Sequence, residues 1–272
     1  LILQHSVDDG QLSLIDGFKN AAPDIKIIQT VDDLLGEVSE RHPNRQYQIR
    51  EGHPRMRQAL TKSDRLIVTT QTLADHYKKY VDDVHIVPNT LGRQWLGLRK
   101  IPQHRSRLRV GWVGAGQHHG DLEMINSVVR ELATKVDWVF MGMCTDEVKP
   151  LLKEFHGFVS IGDYPKKMSE LDLDIALAPI EDNFFNRCKS NLRLLEYGAV
   201  GWPVVCSDVY PYQTDNPPVI RVKNNPNDWV RAIESLFDAN TRHAKAEALH
   251  DWVMAKYLLD SKCGEWFKAV FE

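Results

Sequence analysis

Short apolar runs recur along the 272-residue chain, and most are followed by a stretch whose apolar residues repeat at helical spacing. This alternation predicts parallel α/β architecture: a strand covered on both faces reads as a continuous apolar run, and its crossover to a parallel neighbour is usually helical. The first group of runs is Leu1–Leu3, Ile25–Gln29, Leu66–Thr69 and His85–Val87, with Leu73–Tyr80 as a helical segment between them. The last run enters the turn pair Pro88-Asn89, and Arg99 to Arg107, with Pro102, reads as a linker. The second group is Arg109–Val113, Trp138–Met141, Phe158–Ile161, Asp174–Pro179, Val204–Ser207 and Val219–Val222. Helical patterns separate these runs at Asp121–Thr134, Asp146–Phe155, Leu192–Ala199 and Asp228–Phe237. From about Arg242 to Phe271 the tail is helical, with Trp252, Tyr257 and Trp266 as packing residues.

The pattern is that of an α/β chain with two Rossmann-like domains, residues 1–100 and 101–240, followed by C-terminal helices over 241–272 that pack back. The chain opens directly on the strand-like Leu1-Ile2-Leu3, so the N-terminal domain is expected to be incomplete. Hydrophobic residues make up 43% of the sequence and charged residues 26%, enough for a real core in each domain. The formal net charge of -3 gives no global basic field for nucleic acid, so any cationic site must be local. The four cysteines form no C-x-x-C pair, which fits a reducing compartment better than a disulfide scaffold. No apolar run approaches the roughly 20 residues of a membrane span. A soluble, cytoplasmic protein is therefore expected.

Ligands of open parallel sheets bind beyond the carboxyl ends of the strands, so chemistry is sought in the loops that follow them. The stretch from Gly111 to Asp121 places Gly114 and Gly116 ahead of a helix start, where free backbone N–H groups suit a phosphate. The same glycines would also serve tight strand-to-helix packing. A dinucleotide fingerprint is not met: the third glycine comes one residue late, and no acid follows the strand ending at Met141 to Cys144. His118 and His119 lack a Glu or Cys partner at ligand spacing. One of them reads as a hydrogen-bonding group at the helix mouth, or both as solvated loop residues. After the strand Asp174–Pro179, the loop Ile180–Lys189 leads to Ser190 or Asn191 as a cap for the helix Leu192–Ala199. Lys189 then stands at the positive end of that helix, an unfavourable place unless an anion shares it, and Arg193 follows one turn in. Glu196 lies on the same face as Arg193, placed to hold it or to accept hydrogen bonds from a sugar diol.

The segment Cys188 to Glu196, followed by Tyr197-Gly198-Ala199-Val200-Gly201-Trp202-Pro203-Val204-Val205, resembles the E-x7-E element and G-x-P-V-V strand of GT-B glycosyltransferases of the family 4 type. Val87-Pro88-Asn89, Arg109 to Gly114 and Thr30 to Leu35 resemble further elements of that group. The resemblance implies transfer of a sugar from a nucleotide diphosphate sugar to an acceptor hydroxyl with retention, in bacterial-type glycan or polysaccharide synthesis. It implies Lys189, Arg193 and His118 as the catalytic groups. It implies Gly114, Gly116, Glu181, Asn183, Lys189, Ser190, Asn191 and Glu196 as donor contacts, with Glu196 on the ribose. Cys188 stands where the family has its first glutamate, which puts the donor-sugar contact in question. No metal and no cofactor are expected, the nucleotide sugar being a substrate. The acceptor would be a glycan, a lipid-linked sugar or a protein, with peripheral membrane association and no nucleic acid. A non-catalytic nucleotide-sugar or glycan-binding module and a sugar-nucleotide epimerase are the alternative readings.

Overall fold

The computed structural model describes residues 1–5, 8–34, 45–100, 105–115 and 118–272. They form two compact α/β units, each with its own parallel sheet. The first unit takes in Leu1–Asn89, Asn183–Ser190 and Lys262–Glu272, and the second Thr90–Asp182 and Asn191–Ser261. The sequence pattern placed a join near residue 100; the compact units part instead between Asn89 and Thr90. Pro102, in the expected linker, lies outside the described residues. Among the described residues no helix is long and apolar enough to cross a membrane.

The sheet of the first unit runs β1 (Ile2–Gln4), β2 (Ile28–Val31), β3 (Arg65–Val68) and β4 (Val84–Ile86), in that order across the sheet. The connecting helices include α1 (Asp9–Ala21), the short α2 (Arg45–Tyr47) that continues through a wider turn into α3 (His53–Thr61), and α4 (Gln71–Tyr77). Strand β3 shows why its sequence is apolar throughout. Leu66 and Val68 face a core with Met56, Leu60 and Tyr77, while Ile67 faces the opposite core with Ile28 and Val87. Ala269, near the chain's end, joins that second core, and its carbonyl accepts a 2.9 Å hydrogen bond from the nearly buried Arg65.

The second unit holds β5 (Arg109–Gly114), β6 (Asp137–Gly142), β7 (Glu154–His156), β8 (Ile175–Ala178), β9 (Val204–Ser207) and β10 (Ile220–Val222). Their spatial order is β10-β9-β8-β5-β6-β7, with every pair parallel. The chain builds outward from β5 to β7, then crosses back to lay β8 on the other side of β5. Strands β5 and β8 thus flank the topological switch point, beyond whose carboxyl ends open parallel sheets bind their ligands. Its helices are α5 (His119–Glu123), α6 (Asn126–Leu132), α7 (Tyr164–Glu170), α9 (Leu192–Ala199), α10 (Pro226–Ser235) and α11 (Ala239–Lys256), while α8 (Phe184–Arg187) belongs to the first unit and α12 (Leu259–Phe271) ends in it. Helix α9 coincides with its sequence prediction. It packs on α11 at Gly198, where any side chain would collide with Leu249 and Val253.

Two expected elements differ. The helix foreseen over Asp146–Phe155 is reduced to a single tight turn at Lys149–Leu151, because Pro150 has no N–H to give a longer helix. The third strand of the unit forms at Glu154–His156 rather than Phe158–Ile161. Both Glu154 oxygens accept from Arg109 at the start of β5, at 2.7 and 2.9 Å, and this fork pins the strand in place. Phe158 and Ile161 are left 68% and 92% exposed.

At the end of β6, Gly142 has φ 95° and lies so close to the Gly114 carbonyl that a Cβ would overlap it. Gly17, in the exposed face of α1, has open space at the same position. Gly142→Ala is expected to destabilise the chain by about 1–3 kcal/mol, from strain and the forced separation of β5 and β6. Gly17→Ala should stabilise it by roughly 0.5–1 kcal/mol. Urea denaturation of the two variants reads the contrast directly; equal midpoints would remove the strain argument.

Candidate functional site

The carboxyl end of β5 is built around Arg193, which reaches it from the first turn of α9. One guanidinium nitrogen, Nη1, donates to the Val113 carbonyl on β5, and Nη2 lies 3.0 Å from His118 Nε2. The guanidinium carbon stands 5.2 Å from the Trp112 ring centroid, a cation-π contact. Gly114 has no side chain because that space is taken by the Trp112 ring and by Arg193 Nη1. Gly116 lies outside the described residues.

His118 is 8% exposed, and its Nδ1 lies 2.7 Å from Asp121 Oδ2. Because Arg193 can only donate, Nε2 is the acceptor and Nδ1 carries the proton toward Asp121. The other oxygen of Asp121 accepts a 2.7 Å hydrogen bond from the backbone N–H of Glu181, just beyond β8. Asp121 therefore ties the loop after β8 to the helix after β5, across the switch point. The Glu181 carboxylate stands over Gly120, 2.9 Å from where a Cβ would sit. His119 turns elsewhere, to Glu123 at 3.2 Å.

Among the described residues no carboxylate lies within ion-pair distance of Arg193, although it is held in a largely buried setting. Glu196, three residues on, is the nearest acid along the helix, and its Oε2 accepts from the Tyr164 hydroxyl at 3.1 Å. Burial raises the Glu196 carboxyl to about 7, an effect that the Arg193 charge and the Tyr164 hydrogen bond only partly offset. Tyr164 opens α7 and packs edge-on against Trp95, with ring centroids 5.9 Å apart.

The second unit thus gathers Gly114, His118, Glu181, Arg193 and Glu196. Lys189, Ser190 and Asn183 belong to the first unit. The premise that Lys189 is uncompensated is corrected by the structure: its Nζ lies 3.4 Å from Asp33 Oδ1 and 4.5 Å from the Phe185 ring centroid. Ser190 accepts from Asn89 Nδ2 at 2.7 Å. Asn183 caps α8 by accepting from Asn186 N at 2.9 Å. The expected cap of α9 is also corrected. Asn191 occupies the capping place, but its side chain makes no capping bond and pairs with the Tyr257 hydroxyl instead. Cys188 is fully buried in the apolar core of the first unit, beside Val31 and Leu60. A glutamate there would face hydrocarbon rather than a sugar.

Sequence reasoning gave no role to Trp112 or Asp121. The spacing of Asp121 three residues after His118 on an incipient helix was the available signal. Trp112 carried none, because a tryptophan inside an apolar run reads as core.

No protein-family model matches the sequence, and no curated protein matches it. Solved structures do. Sucrose-phosphate synthase from Thermosynechococcus elongatus superposes with a TM-score of 0.71 at 13% identity, over 99% of this chain and 73% of that one. An α,α-trehalose-phosphate synthase from Burkholderia xenovorans in complex with glucose-6-phosphate gives 0.66 at 11%, over 98% and 72%. HepE from Anabaena, in complex with UDP and glucose, gives 0.56 at 11%, over 99% and 98%. The chain has the GT-B glycosyltransferase fold.

The raised Glu196 pKa has a definite sign in stability. Below about pH 4.5 the carboxyl is protonated both folded and unfolded, so it costs nothing. As pH rises toward 7 the unfolded chain ionises first and folding loses stability, a loss complete above 7. Glu196→Gln should therefore gain on the unmodified chain by on the order of 1–3 kcal/mol between pH 5 and pH 8. Urea melts at the two pH values measure the gain; a constant gap would show that Glu196 is not perturbed.

Proposed function

We propose that the chain is a nucleotide-sugar-dependent glycosyltransferase whose second unit holds the donor at the switch point between β5 and β8. The observation that carries this reading is Arg193, a guanidinium set at the carboxyl end of the central strand, bonded to a carbonyl and an imidazole but, among the described residues, to no carboxylate. A buried cation without a counterion is costly, and an anionic ligand relieves the cost. A diphosphate fits both its charge and the forked N–H donors of arginine.

In the reaction so inferred, an acceptor hydroxyl attacks the anomeric carbon while the bond from that carbon to the diphosphate oxygen breaks. Negative charge then grows on the leaving diphosphate. Arg193 is positioned to stabilise that charge, and Trp112, Val113 and His118 hold its fork in one orientation, so little reorganisation is needed during reaction. His118 keeps its proton on Nδ1 toward Asp121 and serves as a positioning group. Glu196, with Oε2 taken by the Tyr164 hydroxyl, is assigned to the ribose hydroxyls through its other oxygen. Lys189, paired with Asp33, is assigned no phosphate. Retention at the anomeric carbon, a hexose as the transferred group and a role in polysaccharide synthesis are what the sequence resemblance adds. The fold shared with a UDP-forming trehalose-phosphate synthase and with HepE in complex with UDP and glucose supports the same class.

A thermal-shift screen of UDP, GDP, ADP and dTDP identifies the base, since a ligand specific to the folded state raises its melting temperature. With that nucleotide, Arg193→Ala should weaken binding in calorimetry by a hundredfold or more, on the order of 2.7–4 kcal/mol. Arg193→Lys should recover only part of it, because an ammonium lacks the fork. Undiminished affinity in Arg193→Ala would sink the proposal.

A further inference from the structure

The second unit carries a cavity at the other end of its sheet. Leu108, Asp174 and Pro203, which immediately precede β5, β8 and β9, line a space of about 630 Å³ at the amino ends of those strands, whereas Arg193 stands at the carboxyl end of β5. That volume lies within the range of small-ligand sites. Leu173, Val200, Phe237 and Ala246 give the cavity apolar walls, and Ser106 and Asn240 add neutral polar groups.

Its charges come from Lys100, Arg105, Lys135, Arg242, Asp172 and Asp174. Both acids are already engaged. Arg105 Nη2 donates to Asp172 and Nη1 to Asp174 at 3.3 Å, and Asp174 also accepts from the Arg109 backbone N–H at 2.8 Å. Lys135 pairs with Glu234 at 2.5 Å, and His243, also on the wall, lies 3.6 Å from Glu247. Two cations are left over. Arg242 spends Nη1 on the Leu236 and Phe237 carbonyls, at 2.8 and 3.1 Å, and among the described residues no carboxylate lies within ion-pair distance of it or of Lys100. Asp238, one turn before Arg242, is occupied in capping α11, where it accepts from Thr241 N at 2.7 Å.

We propose that this cavity is a second ligand site and that it takes a small phosphate monoester with an apolar body. A phosphate monoester carries close to two negative charges at neutral pH, which matches the two uncompensated cations. The arginine fork suits two of its oxygens and the lysine ammonium a third. A lone carboxylate leaves one cation unmatched, an uncharged ligand leaves both, and inorganic phosphate leaves the apolar walls uncovered. The inference stands apart from the transferase reading, which concerns the opposite ends of the strands.

Calorimetric titration of the full chain with phenyl phosphate, phenol, benzoate and inorganic phosphate tests the site. Phenyl phosphate is expected to bind at least tenfold more tightly than each of the other three. Lys100→Glu should weaken it at least fivefold, Arg242→Gln should do the same, and Arg242→Lys should recover part of the loss. The Lys100 side chain is exposed, so Lys100→Glu keeps the test open where Arg242→Gln, which removes two bonds to carbonyls, fails to fold. Arg193→Lys, at the other end of the sheet, should leave the titration unchanged. No binding of phenyl phosphate, equal affinity for any of the other three ligands, or affinity undiminished in Lys100→Glu overturns the inference. So does a loss produced by Arg193→Lys alone, which would put the ligand at the carboxyl ends of the strands.

Discussion

The second unit is organised around a guanidinium that no carboxylate among the described residues pairs with. Arg193 must leave water to pack against Trp112, and what offsets that desolvation is the end of β5, through the Val113 carbonyl and His118. The rest of the site follows. His118 can accept from Arg193 only while its other nitrogen carries the proton, and Asp121 fixes that tautomer. Asp121 must then be buried, which it is at 3% exposure, and its second oxygen becomes available to anchor Glu181. One cation thus sets the positions of two loops on either side of the switch point.

The same constraint explains the glycines better than a phosphate-binding fingerprint does. Gly114 and Gly120 are small because Arg193 and Glu181 occupy the space over them. Backbone approach to a ligand is a further use of that space, not the reason that the structure itself displays.

Much of this was legible in the sequence and some was not. Helix α9 was readable from end to end, because Leu194, Leu195, Tyr197 and Ala199 mark its apolar face and Arg193 and Glu196 its polar one. The parallel sheets were readable from apolar runs, and the likeness to the GT-B fold from the Leu-Glu-Tyr-Gly stretch and the strand behind it. What failed was the reading of Ile180–Lys189 as one loop leading into α9, since Asn183–Ser190 belongs to the first unit. Which compact unit a short segment joins is decided by distant apolar partners. Phe185 and Cys188 bury themselves against Val31, Leu34 and Tyr77, residues more than a hundred positions earlier. No local charge pattern reports such a choice, so Lys189 and Arg193 looked like neighbours in purpose when only their sequence positions were close. The edge strand β7 was misplaced for a similar reason: the fork between Arg109 and Glu154 spans 45 residues, outside any periodicity window.

The titration of Glu196 near neutrality bears on how a ligand arrives. A carboxyl that titrates near 7 carries only part of its negative charge at neutral pH, so it opposes the charge of Arg193 only in part. An approaching polyanion meets attraction with little opposing repulsion. If the proposed donor assignment holds, ribose hydroxyls that donate to Glu196 would favour its ionised form and release the proton. Under the proposed function, arrival and retention would rely on two charge states of one side chain, and a proton released on nucleotide binding would be the trace of that exchange in solution.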